Sequence, residues 1–427
     1  MRERKNNMTF LVTLLLIVLS LVLVACSSDG SKNSENGVTT VTFWIGGGAA
    51  GDALKEAIKT FNEEHDDIQV EGTYAKSSST SDDKLLTATA GGNPPDIAFF
   101  DRFKVSSWVE QDSLTDITEY AEKDDISKDD FYSFAWDEAH YNDKLYAIPL
   151  STDSRLLYYN KDQFKEVGLD PNEPPKTIDE LEEVSMKLTK PKGNRFERIG
   201  FIPWYNQGQL FTWGLSFGGT FFDEETGKVT PNSPEIVEAL DWLSDYASEY
   251  GVSQMTGFAD SAGSDAQDPF LTGQLSMKVD HPGGVTMIEK YKSDLNYDVA
   301  PVPTPSGENF TTWSGGMSLV IPKGAKHADE AWEFLKFMAN EEGQKIYSEI
   351  SGDLAAVESA NIDLYEDHDK KQKFIELLPE AHHRPLISES SLYWNELEDA
   401  LEKAIHDKGA SEEILENVAE KVNQEIE

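Results

Sequence analysis

The sequence predicts an α/β fold made of two domains. Strand-like alternation and helical spacing of apolar residues follow one another from residue 38 onward, which is typical of sheets with crossover helices. The chain has 427 residues, a length that suits two domains of ordinary size. Hydrophobic residues make up 39% and aromatic residues 11%, so the apolar content is sufficient for packed cores and excludes global disorder.

Five elements at the start of this region predict a mainly parallel sheet. Residues 38–44 alternate like a strand, and the apolar residues within 53–61 recur at helical spacing. Residues 68–74 alternate again, residues 82–90 form a helical stretch that ends at two glycines, and residues 96–100 form a short buried strand. This succession requires crossover connections, which make neighbouring strands parallel.

The same kind of pattern continues to the C-terminus. The predicted strands are 145–150, 156–159 and 317–321, the predicted helices are 179–188, 234–250 and 328–339, and residues 393–427 are predicted to be helical throughout. The sequence contains no internal repeat and no phosphate-binding loop of the Walker type. The α/β pattern therefore covers the chain beyond residue 37.

The first 25 residues are predicted to be a secretory signal peptide. Three basic residues precede an apolar run over 10–24, which is too short for a transmembrane helix. The run ends at Leu-Val-Ala-Cys, where Cys26 is the only cysteine of the chain, and this pattern resembles the lipobox of bacterial lipoproteins. The resemblance implies a lipid on Cys26 that anchors the protein to the membrane, with the small polar residues 26–37 as a flexible tether. An ordinary signal peptide and an uncleaved anchor helix are the alternatives.

The composition narrows the classes of partner. The formal net charge is −41 at pH 7, and the acidic residues are spread along the chain. Such a surface argues against nucleic acid and anionic lipid as partners. We expect no cofactor and no metal, because His382 and His383 are adjacent and their side chains would not converge on one ion.

Five short patterns resemble one known family. They are residues 91–97 (GGNPPDI), 157–162 (LYYNKD), 270–277 (FLTGQLSM), 313–316 (WSGG) and 331–335 (AWEFL). In this order they are similar to extracellular solute-binding proteins of ABC sugar importers, in particular the maltose and multiple-sugar branch. The resemblance implies a two-lobe fold like that of periplasmic binding proteins, in which each lobe is a mainly parallel sheet flanked by helices and a hinge lets the lobes close around a ligand.

The resemblance also implies the domain limits and the partners. Lobe one is expected to comprise 38–149 and 317–365, and lobe two 150–316 and 366–427, with hinge crossings near Leu150, Gly316 and Leu364. The expected partners are a sugar ligand, the permease subunits of an ABC importer and, through Cys26, the outer face of the cell membrane. We expect a monomer that is not an enzyme.

Three polar residues are predicted to bind sugar hydroxyls. Asp101 and Arg102 follow a strand and resemble the aspartate and arginine that bond the sugar in the maltose branch, with a structural salt bridge as the alternative. Asp153 precedes the Tyr-Tyr-Asn-Lys-Asp stretch, where that branch carries a ligand-binding acid. Asp153 could equally line the hinge, and Arg155 could pair with it instead of meeting the ligand.

Sugars also pack their apolar ring faces on aromatic side chains. The positions expected to face the cleft, on the strand-end rule or on the family patterns, are Trp44, Gln209, Trp213, Trp313, Gly315, Tyr393 and Trp394. A place in the hydrophobic core is the alternative for each tryptophan.

The chain departs from the maltose branch at two points. The loop that contains Gly47 and Gly48 lacks the charged residues of that branch, but it could offer backbone N–H groups at a helix N-terminus. A glycine follows Pro282 where an aromatic residue is usual, so Asp280 or His281 is expected to contact the ligand there. Both departures leave the identity of the sugar open.

Two other functions are compatible with the sequence. A glycoside-processing enzyme would need two fixed carboxylates, and Asp101 with Asp153 is the available pair, although these residues belong to opposite lobes of a moving cleft. An anionic ligand such as glycerol phosphate would need cationic donors, which Arg102, Arg155 and Arg384 could supply.

Overall fold

The computed structural model describes residues 37–74, 79–193, 195–259 and 265–426. The predicted signal peptide, Cys26 and all of the tether except Gly37 lie outside the described residues. Within the described ranges, no helix is both long enough and apolar enough to cross a membrane.

The strands include a counterpart for each of the six predicted ones, and most of the others are short. In chain order they are β1 (Thr39–Ile45), β2 (Ile68–Tyr74), β3 (Ile97–Asp101), β4 (His140–Tyr141), β5 (Lys144–Leu145), β6 (Ala147–Pro149), β7 (Ser151–Thr152), β8 (Leu156–Asn160), β9 (Lys190–Lys192), β10 (Arg195–Arg198), β11 (Phe222–Asp223), β12 (Lys228–Val229), β13 (Met277–Asp280), β14 (Tyr297–Ala300), β15 (Thr312–Trp313), β16 (Met317–Val320), β17 (Leu354–Ala355) and β18 (Ala381–His382).

Helices separate the strands and cover the sheets. In chain order they are α1 (Gly48–Glu64), α2 (Ser79–Ala90), α3 (Val105–Glu110), α4 (Thr118–Lys123), α5 (Ser133–Glu138), α6 (Lys161–Glu166), α7 (Ile178–Leu188), α8 (Leu210–Ser216), α9 (Pro234–Tyr250), α10 (Val252–Ala259), α11 (Gly283–Tyr291), α12 (Ala328–Ala339), α13 (Glu341–Ser351), α14 (Glu358–Tyr365), α15 (Asp369–Ile375), α16 (Ser390–Ile405) and α17 (Ser411–Ile426).

The first lobe is built on a five-stranded sheet, sheet A, in the order β2-β1-β3-β16-β6. β1 is parallel to β2 and β3, whereas β16 is antiparallel to β3 and β6. Four strands therefore run in one direction and β16 runs in the other. Since β16 comes from far along the chain, this lobe is assembled from two separate stretches of sequence.

The second lobe is built on sheet B, in the order β13-β8-β14. β8 is antiparallel to both neighbours, so β13 and β14 run in the same direction. The predicted α/β class is confirmed, and four of the five strands of sheet A run in one direction, although two of its strand pairs are parallel and two antiparallel. Sheet B differs from the expected mainly parallel sheet, because both of its strand pairs are antiparallel.

The segments between the lobes lie side by side. β7 follows sheet A and pairs with β17, and the backbone N–H of Leu150 bonds to the carbonyl of Met317 at 2.9 Å. Further along, α14 packs on α13, whereas α15 packs on β14 of sheet B. The predicted lobe limits and hinge crossings stay a prediction.

The C-terminal helices belong to the core of the second lobe. α9 begins with Pro234 and ends at Gly251, whose φ of 80° closes the helix in the left-handed region. Its buried stripe packs against α8, α16 and α17. Residues 393–427 are not helical throughout, because a turn with Gly409 at φ 137° separates α16 from α17.

Candidate ligand-binding cleft

A cavity of about 640 Å³ lies between the two lobes, and we call it the first cavity. The end of β3 and α3 form one wall, the segments between the lobes form its base, and residues from the second lobe and α16 form the other wall. The predicted site residues that line it are Asp101, Asp153, Gln209, His281, Trp313, Gly315 and Trp394. The fold thus brings together residues from distant parts of the sequence.

The pair of Asp153 and Arg155 lies at the base of the first cavity. Arg155 Nη1 is 2.5 Å from Asp153 Oδ1 and donates to the Trp313 carbonyl at 2.9 Å, while Nη2 donates to Gln207 Oε1 at 3.1 Å. Burial alone would raise the pKa of Asp153, but the charges of Arg155 and His281 and the Gly315 N–H lower it below its usual range. Asp153 is therefore an ionised acceptor.

Gly315 is required by this arrangement. Its N–H donates to Asp153 Oδ1 at 2.5 Å, and a Cβ at this position would lie 3.0 Å from Arg155 Nη2 and 3.1 Å from Asp153 Oδ1. Any side chain would crowd the ion pair, so the backbone approaches it closely only as glycine.

A second ion pair forms the wall beside α16. Arg384 Nη2 donates to Asp101 Oδ1 at 2.9 Å, and the guanidinium carbon lies 4.2 Å from the centre of the Phe103 ring. The Arg384 side chain is 5% exposed, and its Nε is 3.6 Å from a buried Glu138 oxygen. Asp101 thus presents to the cavity a carboxylate that a buried arginine holds in place.

Aromatic faces complete the first cavity. The rings of Trp313 and Trp394 lie 5.6 Å apart, and Trp394 is 5.7 Å from Phe103. Arg155 lies over the Trp313 ring at 3.2 Å, and the indole N–H of Trp313 donates to Thr212 Oγ1 at 2.9 Å. Trp313 is 3% exposed and Arg155 covers its face, so the partly exposed ring of Trp394 is the surface on which an apolar face can pack.

Three predicted ligand residues are placed elsewhere, and these predictions are corrected. Arg102 is fully buried and donates to Glu138, to the Ser151 carbonyl and to the Gly315 carbonyl, so it joins the segments between the lobes. Trp213 and Tyr393 are buried in the second core, where they donate to backbone carbonyls. Tertiary packing covers all three side chains, which sequence position alone does not reveal.

Two other predicted residues, Trp44 and Gly47, do not line the first cavity. Trp44 packs on the first core, with the Lys84 ammonium 5.0 Å from its ring. Gly47 precedes α1 as its N-terminal cap, and its neighbour Gly48, with φ 61°, borders a different cavity.

This other cavity, the second cavity, has a volume of about 690 Å³ and shares only His281 with the first. Gly48 of lobe one lies on one side of it, with Asp280 and α11 of lobe two on the other. Asp280 is 2.8 Å from the buried ammonium of Lys278 and accepts from the His281 N–H, so its oxygens are already used. Gly283 lines this cavity where an aromatic residue was expected.

His281 connects the lobes where the two cavities meet. Its Nδ1 lies 3.3 Å from Asp353 Oδ1, across the boundary between the lobes. Burial lowers the pKa of His281, but the carboxylates of Asp353, Asp280 and Asp153 more than offset this effect and raise the pKa above its ordinary value.

Several residues of the first cavity were not predicted to bind the ligand. They are Phe103, Gln207, Asp353 and, as lining residues engaged in ion pairs, Arg155 and Arg384. Phe103 follows the predicted Asp-Arg pair directly, which is a usable signal. Asp353 comes from a remote loop and carried no local signal, whereas Arg155 and Arg384 were considered only as donors for an anionic ligand. In the described ranges, His, Asp and Glu side chains do not gather in groups of three that could hold a metal ion.

Comparison with known proteins agrees with this geometry. Residues 46–345 match the family described as "Bacterial extracellular solute-binding protein". The chain belongs to this family. Among its relatives, the arabinooligosaccharide-binding protein of Bacillus subtilis (strain 168) is 26% identical over 80% of this chain and 78% of its own length. The maltodextrin-binding protein MdxE of the same organism is 26% identical over 79% of this chain and 78% of its own length.

Solved structures of solute-binding proteins have the same two-lobe fold. The protein CpMnBP1 with mannotriose bound has a TM-score of 0.82 and 27% identity, covering 90% of this chain and all of that one. A solute-binding protein of an ABC transporter from Thermotoga lettingae, bound with α-D-tagatose, has a TM-score of 0.80 and 26% identity, with 91% of this chain and 100% of that chain covered. The two-lobe solute-binding fold is therefore confirmed.

Proposed function

We propose that this solute-binding protein captures a neutral oligosaccharide in the first cavity and delivers it to the permease subunits of an ABC importer. The observation that carries the proposal is the combination of the partly exposed ring of Trp394, which packs beside the buried Trp313, with carboxylates held by buried arginines, Asp153 and Asp101. Aromatic rings cover the apolar face of a sugar, and the carboxylates accept hydrogen bonds from its hydroxyl groups. The ligands named for the relatives and for the structures at 26–27% identity support a sugar.

The charge of the first cavity favours a neutral ligand over an anionic one. Both arginines that line it are already paired with carboxylates. Carboxylates also outnumber basic side chains among the lining residues, which include Asp83, Asp353 and Glu398. A phosphate group would meet net negative charge and would have to displace an existing ion pair. A polyol phosphate such as glycerol phosphate is therefore the weaker candidate.

Binding without catalysis follows from the same groups. A glycosidase needs one carboxylic acid with a raised pKa to protonate the leaving oxygen. Asp153 has a lowered pKa, and Asp101 is bound by Arg384. Asp153 is therefore suited to accept hydrogen bonds and not to donate a proton, and Asp101 is engaged in its ion pair.

We further propose that the protein acts as a monomer at the outer face of the cell membrane, held by a lipid on Cys26. The family description places its members outside the cell. The Leu-Val-Ala-Cys pattern and the polar tether after it support the anchor. Labelling of the expressed protein with a radioactive fatty acid tests the anchor, and Cys26→Ala is expected to abolish the label.

Isothermal titration calorimetry with maltotriose, mannotriose, arabinotriose, glycerol 3-phosphate and galacturonic acid tests the function. We expect one neutral trisaccharide to bind with a dissociation constant in the micromolar range or below and to raise the melting temperature by mass action. Trp394→Ala should weaken this binding about tenfold, since it removes one stacking face. Tighter binding of an acid, or release of shorter sugars from the bound trisaccharide, would contradict the proposal.

A further inference from the structure

The contact between His281 and Asp353 joins the two lobes beside the proposed sugar site. His281 follows β13 of sheet B, whereas Asp353 lies between α13, which packs on α1 of the first lobe, and β17. Both side chains line the first cavity. They are 33% and 21% exposed, so solvent reaches them even while the lobes touch at this point. Closure of the lobes around a ligand would form this contact, and opening would break it.

The Nδ1 atom of His281 has two neighbours that require opposite protonation states. The backbone N–H of Gly283 lies 3.2 Å away and can donate only to a lone pair on Nδ1. Asp353 Oδ1 lies 3.3 Å away and, as a carboxylate oxygen, can only accept from an N–H on Nδ1. Gly283 is in the same lobe as His281, whereas Asp353 is in the other. A proton on Nδ1 therefore replaces a bond within lobe two by a bond between the lobes.

Asp280 acts on the opposite side of the ring. Its Oδ1 lies 3.8 Å from His281 Nε2. A neutral ring with its proton on Nδ1 would direct the lone pair of Nε2 towards Asp280, and one with its proton on Nε2 would direct the lone pair of Nδ1 towards Asp353. The imidazolium presents an N–H to both carboxylates. Contact between the lobes at this point therefore favours the protonated ring.

A third carboxylate acts in the same direction. Asp153 faces the ring from the segments between the lobes, and its charge attracts the imidazolium. Burial lowers the pKa of His281, but the hydrogen bond to Asp353 and the charges of the three carboxylates outweigh burial and raise the pKa above its ordinary value. The part of this increase that comes from Asp353 exists only while the lobes are in contact.

The cations near the ring are bound to partners of their own. Lys278 is paired with Asp280, and Arg155 is paired with Asp153. Lys371 of α15 donates to the carbonyls on either side of the lobe boundary. Further titratable side chains on the surrounding elements are Asp52 of α1, Tyr158 of β8, Asp268, Glu289 and Lys290 of α11, and Tyr347 of α13. Pairing of the cations reduces their repulsion of a charged ring.

We propose that the imidazolium of His281 holds the lobes together by donating from Nδ1 to Asp353, so that capture of the sugar takes up a proton. In the open form the ring lacks this acceptor, and the Gly283 N–H favours a lone pair on Nδ1. The closed form then binds the proton more tightly than the open form, and the affinity for the sugar falls as the pH rises through the range in which the closed form releases it. The inference rests on the proposed function, since it concerns closure around a sugar in the first cavity.

Calorimetry in buffers of different ionisation enthalpy tests this inference. The trisaccharide that binds, out of maltotriose, mannotriose and arabinotriose, is titrated near pH 7 in phosphate, HEPES and Tris. The slope of the observed enthalpy against the ionisation enthalpy of the buffer gives the number of protons exchanged. We expect uptake of a fraction of one proton per sugar bound. We also expect the dissociation constant to rise about fivefold from pH 6 to pH 8.5, because a charged donor makes the stronger hydrogen bond.

Three variants locate the effect. The amide of His281→Gln can donate to Asp353 at every pH but cannot take up a proton, so we expect no uptake and less than a twofold change in affinity over the same pH range. Asp353→Asn removes the carboxylate that selects the imidazolium. It should also lose the uptake, and at pH 6 it should bind the sugar about as weakly as the unmodified protein does at pH 8.5. His406→Gln is the matched control and should keep the uptake, because His406 is also 33% exposed but lies 3.6 Å from Glu402 of the same lobe.

The outcomes are distinguishable. Uptake that persists in His281→Gln would assign the proton to another group and overturn the inference. Sugar binding without uptake by the unmodified protein would also overturn it and leave the proposed function intact. Release of a proton is likewise incompatible with it and would indicate Lys371, whose charged form is disfavoured by burial. If no trisaccharide binds the unmodified protein at any of these pH values, the proposed function fails and the inference fails with it.

Discussion

The two cavities between the lobes are similar in size and different in chemistry. The first measures about 640 Å³ and combines Trp313 and Trp394 with two arginine–carboxylate pairs. The second measures about 690 Å³ and is bordered by glycines, including Gly48 and Gly283, and by Tyr205 and Tyr291, with no tryptophan among its described lining residues. Volume therefore does not identify a sugar site. The difference lies in the indole face of Trp394 and in polar groups that still have unused acceptor positions.

Each cavity also has a buried ion pair in its wall, and the two pairs differ in how much of the carboxylate remains exposed. Asp153 is 15% exposed beside Arg155, so part of its carboxylate can meet a ligand. Asp280 is 2% exposed beside Lys278, and its oxygens bond to that ammonium and to the His281 N–H. We infer that the first pair binds ligand and stabilises the fold, whereas the second pair only stabilises the fold.

The largest expected effect comes from removing one acid of each pair. Asp153→Ala should lower the free energy of unfolding by about 3–5 kcal/mol, because it leaves the buried Arg155 without its carboxylate partner. Asp280→Ala should lower it by less, because the buried Lys278 keeps Asp268 as a partner at 3.2 Å. Asp153→Ala should in addition weaken trisaccharide binding more than 100-fold, with Asp280→Ala changing it less than threefold. Urea denaturation and calorimetry measure the two quantities.

The exposed Lys290→Ala, in the lining of the second cavity, is the control for a charge change there and should alter neither quantity. A large loss of affinity in Asp280→Ala would show that the second cavity also contacts the ligand, and the contrast between the cavities would then be wrong.

An effect of about 3 kcal/mol is expected from Lys371, which connects the lobes beside the second cavity. Its buried ammonium donates to the Pro282 carbonyl at 2.8 Å and to the Gly352 carbonyl. Burial lowers the pKa of Lys371 to about 8, and the charges of Asp353 and Glu289 offset this only in part. The unfolded chain releases this proton near pH 10.4. Between these values the unfolded chain binds more protons, so the free energy of unfolding should rise with pH.

Comparison with Lys371→Met isolates this contribution. From pH 7.5 to pH 10.5, the unmodified protein should gain about 3 kcal/mol of unfolding free energy relative to the variant. Lys370→Met, which removes a neighbouring charge on α15, should show no such relative gain. A parallel pH dependence of the unmodified protein and Lys371→Met would show that Lys371 keeps an ordinary pKa.

The smallest effect tests whether an indole face is what the second cavity lacks. A Cβ on Gly283 would lie 2.5 Å from Cε1 of His281, a one-third exposed side chain that has to shift from its position beside Asp353 to make room. Gly283→Trp should therefore fold and offer a stacking surface worth about 1 kcal/mol, or roughly a fivefold gain in affinity for an oligosaccharide longer than a trisaccharide. Titration of a trisaccharide and a hexasaccharide measures the gain, and an equal change for both would argue against the second cavity.

Periodicity predicted most of the fold because it reports local burial. The strand expected at 38–44 is Thr39–Ile45, and the helix expected at 234–250 has the bounds Pro234–Tyr250. Periodicity could not predict the strand directions in sheet B, where β8 is antiparallel to both of its neighbours. It also missed the turn between α16 and α17, where both flanking helices have continuous apolar stripes.

The candidate site was less predictable than the fold. Asp101, Asp153 and Trp313 line the first cavity as expected from strand ends and family patterns. Arg102 and Trp213 do not, because their side chains turn away from the cleft into contacts with remote segments. The position of a residue in the sequence identifies the backbone segments that lie near a cleft. Whether its side chain faces the cleft or the core depends on partners elsewhere in the chain.

The place of β16 in sheet A has a consequence for folding. β16 lies between β3 and β6, and the Ser318 hydroxyl bonds to the Phe100 carbonyl across 218 positions of sequence. Until this strand is available, β3 and β6 each have an unpaired edge, and pairing over such separations is slow. For a chain with a predicted secretory signal, the first lobe therefore remains incomplete until most of the polypeptide has been exported. Late arrival of one central strand keeps the exported polypeptide unfolded for longer and postpones ligand capture until the whole chain has been delivered.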